Sequence, residues 1–231
     1  MTNLTTIAVY HGPIKDKFGV PRQSGLAKGI DGKIVFSGGY GVQEALKGLE
    51  GFSRIWLIWG FNLNEKPGTL NGSAGTPAWS PTVRPPRLGG NKSVGVWASR
   101  SPFRPNPLGL SCVEIKEIGK GEITVSGADL ADGTPIYDIK PYIPYADSFP
   151  DAAPGFAPAA PERLEVVLPD NLPFTLEQQE TLKEILSLDP RPAYQADENR
   201  VYGFTYLGYD VRFSIKEGKV FVHDARTGHK I

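Results

Sequence analysis

Between Val83 and Ser111 the sequence reads VRPPRLGGNKSVGVWASRSPFRPNPLGLS and carries Arg84, Arg87, Lys92, Arg100 and Arg104. No acidic residue occurs between Glu65 and Glu114, although the 25 Lys and Arg of the whole chain are balanced by 25 Asp and Glu. A one-sign block in a neutral chain makes a local positive field that collects phosphates or carboxylates. Pro85, Pro86, Pro102, Pro105 and Pro107 restrict their own φ and bias the residues before them away from helix, while Gly89, Gly90, Gly95 and Gly109 allow tight turns. The guanidinium forks are therefore offered on a stiff, extended loop system that loses little entropy when an anion binds. An isolated RPPR reads more simply as a solvated surface loop. The block as a whole reads as a site, with Val94, Val96 and Trp97 forming a buried strand between its two basic parts.

The acidic counterpart is DLADGTPIYDIKPY, Asp129 to Tyr142. Asp132-Gly133-Thr134 is a turn whose carboxylate and hydroxyl can cap backbone amides. Asp129, Asp132 and Asp138, close in sequence to Tyr137, Lys140 and Tyr142, would together offer an edge that binds a ribose or an ammonium group. Other chemistries find no support. The three histidines, His11, His223 and His229, lack ligand spacing, and one cysteine, Cys112, permits neither an intrachain disulfide nor a thiolate cluster, so no metal is expected. There is no GxSxG, no P-loop and no HExxH, and Gly38-Gly39-Tyr40-Gly41 lacks the parallel-sheet context of a dinucleotide site. Charge neutrality argues against indiscriminate polyanion binding, so any nucleic-acid contact must come from a patch.

The elements that must position these residues are mostly short strands. Thr5–Tyr10, Lys33–Phe36, Gly95–Ser99, Leu110–Ile118 and Glu122–Gly127 have strand character, and Gly119-Lys120-Gly121 reads as a hairpin turn. Arg54–Phe61 (RIWLIWGF) is apolar at nearly every position, as in a strand buried on both faces or lining a barrel. Val42–Leu49 has helical spacing, and residues 62–80 read as a mobile insertion. With frequent Gly and Pro turns this describes a mainly β chain, with an all-β barrel or sandwich-like domain over residues 1–147. Residues 148–161 are an Ala/Pro-rich linker. Residues 162–231 form a small α+β unit packed on the barrel, with strands near Arg163–Leu168, Val201–Leu207, Tyr209–Lys216 and Lys219–His223. Its helix, Thr175–Leu188, has Thr175 and Gln178 placed for a capping box and Leu176, Leu182, Ile185 and Leu186 on one face. The N-terminus has no signal-peptide pattern, and no apolar run is long enough to span a membrane, so the expectation is a cytoplasmic protein.

FGVPRQSGL (Phe18–Leu26), TVRPPRLGGN (Thr82–Asn91), GVWASRSPFRPNPLGLS (Gly95–Ser111), DLADGTPIYDIKPYIPYADS (Asp129–Ser148) and DPRPAY (Asp189–Tyr194) resemble, in order, the motifs of the TsaA-like or TrmO family. Members are S-adenosylmethionine-dependent methyltransferases built on a β-barrel. The resemblance implies methyl transfer to N6 of N6-threonylcarbamoyladenosine at position 37 of tRNA, with a threonine tRNA as an example. It also implies a homodimer. By the family pattern the donor is held by Pro21, Arg22, Gln23, Asn62, Leu63, Arg100, Leu110, Asp132, Gly133, Thr134 and Pro135; the family often has histidine where this chain has Asn62.

Arg84, Arg87, Lys92 and Arg104 are then left for anticodon-loop phosphates or the threonyl carboxylate. Trp97, Phe103 and Tyr194 could stack on bases, although the strand context makes Trp97 more a core residue. Arg191 either touches the RNA or fixes the C-terminal unit to the barrel. Asp138 and Tyr142 are candidates for a general base by proximity alone. Two other readings stand beside this one: a barrel that binds S-adenosylmethionine or a nucleotide without catalysis, and an RNA-binding scaffold with no small ligand.

Overall fold

The computed structural model describes residues 4–63, 80–191, 197 and 200–227. Most of the 62–80 insertion, Tyr194 and His229 lie outside them. Six strands close into a barrel: β1 (Ala8–His11), β2 (Asp31–Phe36), β3 (Arg54–Gly60), β6 (Leu108–Gly119), β7 (Glu122–Ser126) and β8 (Thr134–Pro141), in the order β1-β2-β7-β6-β3-β8. Period-two alternation decides what fills it. Ala8, Tyr10, Ile34, Ile55, Leu57, Trp59, Val113, Ile123, Val125 and Ile136 point inward and form one buried cluster. The apolar run of β3 therefore lines the barrel with every second residue, while Arg54, Trp56 and Ile58 face outward and are half-buried. Fold class and hairpin agree with the sequence expectation: β6 and β7 pair antiparallel across Gly121, which has φ 75°.

The second sheet has the order β10-β11-β12-β9, from β9 (Glu165–Val167), β10 (Tyr202–Tyr206), β11 (Tyr209–Lys216) and β12 (Lys219–Thr227). Against it packs α2 (Leu176–Ser187), which starts with the expected Thr175/Gln178 capping box. Leu182, Ile185 and Leu186 are buried, but Leu176 is 81% exposed. At 100° per residue Leu176 lies about 120° round the helix from the centre of that stripe, so it was never on the buried face.

The second core is not made by the C-terminal residues alone. Ile14, Ala27 and Ile30, from the connection between β1 and β2, are buried in it. Burying each of the two isoleucines contributes about 1.5–3 kcal/mol. Polar bonds fasten the same connection: Thr205 N donates to Asp16 Oδ2 (2.7 Å), Thr181 Oγ1 to the Gly29 carbonyl (3.1 Å), Gly29 N to Glu184 Oε2 (3.0 Å), and Arg163 to the Leu26 carbonyl.

Two other local expectations fail. The helix expected over 42–49 is one turn, α1 (Gln43–Leu46), because Val42 supplies no side-chain cap and Gly48 turns left-handed at φ 90°. The strand expected over Gly95–Ser99 is also absent. Only β5 (Val94–Gly95) pairs, with β4 (Thr82–Val83), and the chain then tightens into a 3₁₀ turn over Val96–Ala98. That turn buries Val96 and swings Trp97 out to 67% exposure, so Trp97 is a surface residue and not part of the core.

Candidate active site at the barrel mouth

Because every neighbouring pair in the barrel is antiparallel, the C-terminal ends of β1, β3 and β7 meet the N-terminal ends of β2, β6 and β8 at one rim. The register sets Tyr10 beside Thr134, Trp59 beside Gly109 and Gly60 beside Leu108. Residues distant in sequence, 59–62, 108–111 and 129–135, therefore share one mouth. A fourth segment joins them when Gly25 N donates to the Gly127 carbonyl (2.8 Å) and Cys112 N to Ser24 Oγ (3.2 Å), which docks the loop carrying Pro21-Arg22-Gln23 on the rim.

Inside the mouth runs a short polar chain. Trp59 Nε1 donates to Ser111 Oγ (2.8 Å), and Ser111 donates to Asp129 Oδ1 (2.5 Å). Ser111 is fully buried. The Trp59 ring has room there only because residue 109 is glycine: a Cβ at that position would stand 2.1 Å from the ring. Burial pushes the Asp129 carboxyl up to about 6, against the Ser111 hydroxyl, the amides of Asp129 and Ser24 and the positive charge of Arg100, which favour its ionised form. Arg100 in turn donates to Gln23 Oε1. The buried Tyr10 hydroxyl has no hydrogen-bond partner among the described residues, and burial, then Asp31, Asp129 and Asp132, raise its pKa.

Beside this chain is the DGT turn. Asp132 N donates to the Ile14 carbonyl and Gly133 N to the Tyr10 carbonyl, with Gly133 at φ 79°, a conformation that favours glycine. Asp132 Oδ1 lies 3.2 Å from His11 Nδ1 and 3.4 Å from Gly12 N, so its carboxylate does cap backbone. Thr134 Oγ1 lies 2.7 Å from the Ala131 carbonyl and 3.2 Å from Asn62 Oδ1. The structure thus brings Gln23 to Arg100, and Asn62 to Asp132-Gly133-Thr134. Leu63, at 45% exposure, follows Asn62, and Pro135 pairs with Val9 on β1.

Other expected site residues lie elsewhere. Leu110 faces outward opposite Ile58 and is 56% exposed. Pro21 and Arg22 line a separate cavity of about 390 Å³ with Lys17, Phe18, Leu188 and Arg191, and Arg22 Nη2 donates to the Arg191 carbonyl (3.1 Å). The guanidinium of Arg191 is held by both Asp189 oxygens at 2.8 Å. Asp138 pairs with Lys140 (2.8 Å) on the outer wall, and Tyr142 lies against Trp56, ring centroids 5.9 Å apart. A register shift in the β3–β8 pairing, between Ile58 and Trp59, puts Asp138 and Lys140 out of phase with the inward Thr134 and Ile136, so the proposed acidic edge is divided, with Asp129 and Asp132 at the mouth and Asp138 and Lys140 outside. In the basic block Arg84 and Lys92 are exposed, and Arg87 donates to the Ala159 carbonyl. Arg104 holds the carbonyls of Ser99 (3.0 Å) and Ser101 (3.3 Å) and lies over the Trp97 ring at 5.4 Å; Lys17 lies over Phe103, itself 54% exposed, at 5.5 Å.

Sequence reasoning missed His11, Ser111 and Tyr10. Ser111 lies inside a quoted motif, and its inward phase on β6 was the available signal; His11 meets its partner 121 residues away, which no spacing rule reaches. No group of three or more His, Cys, Asp and Glu able to hold a metal ion is found among the described residues, and no helix there is long and apolar enough to cross a membrane.

Comparison with known proteins gives consistent matches. The tRNA-methyltransferase O N-terminal domain family matches residues 9–148, and the TrmO C-terminal domain family matches residues 156–227. The chain is 40% identical, over 95% of its length and 97% of the relative's, to the tRNA (adenine(37)-N6)-methyltransferase of Escherichia coli. A Pseudomonas aeruginosa relative, 39% identical over 86% of each chain, carries the name of an S-adenosylmethionine-dependent methyltransferase. The crystal structure of TrmO from that genus superposes with a TM-score of 0.78 at 28% identity, covering 99% of this chain and 98% of its own.

Proposed function

The chain belongs to the tRNA-methyltransferase O family and is a tRNA (adenine37-N6)-methyltransferase, and we propose that its donor is S-adenosylmethionine and its acceptor N6-threonylcarbamoyladenosine. The observation that carries this reading is the convergence of Gln23 with Arg100, and of Asn62 with the Asp132–Thr134 turn, on one barrel mouth. The groups there fit such a donor. Arg100 suits the carboxylate of its methionine part, and the DGT backbone and Asn62 suit its ribose and adenine. The donor supplies an electrophilic methyl group; the chain's own residues align the acceptor with it and exclude water.

The acceptor reaches the mouth with its RNA on the basic block. Arg84, Lys92 and Arg104 meet phosphates or the threonyl carboxylate, and the exposed rings of Trp97 and Phe103 stack on loop bases. Arg87 keeps further N–H donors for phosphate beyond the one on Ala159. We assign Arg191 to fixing the C-terminal unit, since Asp189 occupies its fork. The enzyme acts in the cytoplasm as a homodimer; exposed Phe149 (71%), which lines one hollow with Trp56 and Tyr142, and exposed Tyr145 (90%) support an apolar contact between copies.

The test titrates Arg100→Ala and Arg104→Ala separately with S-adenosylmethionine and with tRNA. Arg100→Ala is expected to weaken donor binding and Arg104→Ala to weaken tRNA binding; swapped losses would refute the assignment. Mass spectrometry of anticodon-loop fragments from tRNA treated with the wild-type protein decides the reaction. Donor binding with no methylated product would favour the non-catalytic barrel instead.

A further inference from the structure

We infer that Asp129 is the general base of the methyl transfer, taking the proton from N6 of the acceptor at the barrel mouth. This rests on the function proposed above and adds to it a residue that the family resemblance does not assign to the donor. The acceptor nitrogen lies between an adenine ring and a carbonyl; it is poorly nucleophilic and carries a proton that must leave. As its lone pair bonds to the methyl carbon, the carbon–sulfur bond breaks with its electron pair left on sulfur. The N6 proton passes to the Asp129 carboxylate, which then releases it to solvent.

Position favours Asp129 over the other carboxylates. It stands where three donor segments meet: the Gln23–Ser24 loop, the start of β6 and the stretch leading into the DGT turn. Asp132 is engaged by His11 and the Gly12 amide, and Asp138 pairs with Lys140 on the outer wall. Asp129 has no ion-pair partner within 4 Å among the described residues. Its orientation is fixed from behind, because Ser111 Oγ donates to it and is itself held by Trp59. A carboxylate accepts about four hydrogen bonds. Ser111 takes one of these at 2.5 Å, which leaves lone pairs for the acceptor.

The charged surroundings fit the role. Arg100, from the basic block and bonded to Gln23, attracts the carboxylate; β1 brings the Tyr10 phenol, on which Asp31 and Asp132 also act as negative charge; β6 and β3 bring only neutral Ser111 and Trp59. A carboxyl pushed up to about 6 is ionised at neutral pH and a better base than an ordinary aspartate.

The experiment uses full-length wild type, Asp129→Asn and Ser111→Ala, with tRNA carrying the unmethylated acceptor. Single-turnover rates are measured from pH 5 to 9, donor affinity by calorimetry, and the Asp129 carboxyl titration by carbon NMR in the free protein. The wild-type rate should rise tenfold per pH unit below about 6 and then level. Asp129→Asn should lose about 10²–10⁴-fold in rate on the plateau above pH 6 and lack the acid limb, with donor affinity within about threefold. Ser111→Ala removes a bond that favours the ionised form, so its limb should move to higher pH and its rate recover by about pH 8.5. An Asp129→Asn rate within tenfold of wild type would overturn the inference, as would a loss of donor affinity matching the loss of rate, an unshifted Ser111→Ala profile, or a free-protein titration in the ordinary aspartate range. A wild-type protein that binds the donor yet transfers no methyl group would instead refute the parent function, and this inference with it.

Discussion

In the function proposed above the barrel mouth takes the methyl donor and the Thr82–Arg104 block takes the RNA, and the two regions are built in opposite ways. At the mouth the polar side chains, the Tyr10 hydroxyl apart, are held by other parts of the chain: Trp59, Ser111 and Asp129 in series, Asn62 with Thr134, Asp132 with His11. The block has a two-residue ladder, two 3₁₀ turns and two large aromatic rings standing in solvent, each with a cation over one face. A small donor rewards a site whose groups need no rearrangement. An RNA loop brings several bases and phosphates in varied poses, and it is better met by open ring faces and long cationic side chains.

The sharpest way to break this comparison is to make the same substitution in both regions. Gly109→Ala, at the mouth, drives a methyl group into the Trp59 ring and should cost roughly 3 kcal/mol in denaturant unfolding. Gly95→Ala, in the block, meets nothing within 4 Å at a φ of −57° that alanine accepts, and should be neutral or stabilising by about 0.4–1 kcal/mol. Equal losses would erase the distinction.

Asp129→Asn tests the mouth by pH. Its carboxyl is raised from 3.8 to about 6 by burial, so the fold prefers the protonated form. That preference is fully present below about pH 4 and is lost as pH rises through 6, at a cost of at most about 3 kcal/mol. The asparagine variant should therefore melt higher than wild type at pH 8 and with it at pH 4; a variant less stable at pH 8 would contradict the burial argument.

In the block, Trp97→Ala and Phe103→Ala should each weaken tRNA binding by about 1–3 kcal/mol, measured by filter binding, while melting temperature and donor affinity stay put. A large fall in stability for Trp97→Ala would mean that the ring packs after all. The smallest effect belongs to Tyr10→Phe. Removing a buried hydroxyl with no partner should change stability by less than about 1 kcal/mol, with a gain the expected sign.

Much of this was legible in advance. The mainly β class followed from short strands between Gly and Pro turns, the barrel from the family resemblance, and the helix start at Thr175 from its capping pair. Trp97 was misjudged because strand propensity counted Val94, Val96 and Trp97 as one run, while Gly95 and the following 3₁₀ turn reset the phase after two paired residues. Asp138 and Tyr142 looked adjacent to the chemistry because sequence distance ignores which side of a strand a residue occupies. The β1–β2 connection gave no local sign that it completes the second core, since Ile14 and Ile30 have no periodic partners nearby.

By itself, then, the sequence determined what is local: strand and helix type, the capping box, the one-sign charge of the Arg84–Arg104 block, and the motifs that mark the family. Only the tertiary structure decided that Gln23 meets Arg100, that Asn62 meets Thr134, and that Ser111 hands a hydrogen bond to Asp129 in the barrel mouth. The physical reason is that these contacts are set by barrel closure and by the inward or outward phase of each strand. Both depend on pairing between segments up to a hundred or more residues apart, and no rule of neighbouring residues contains them.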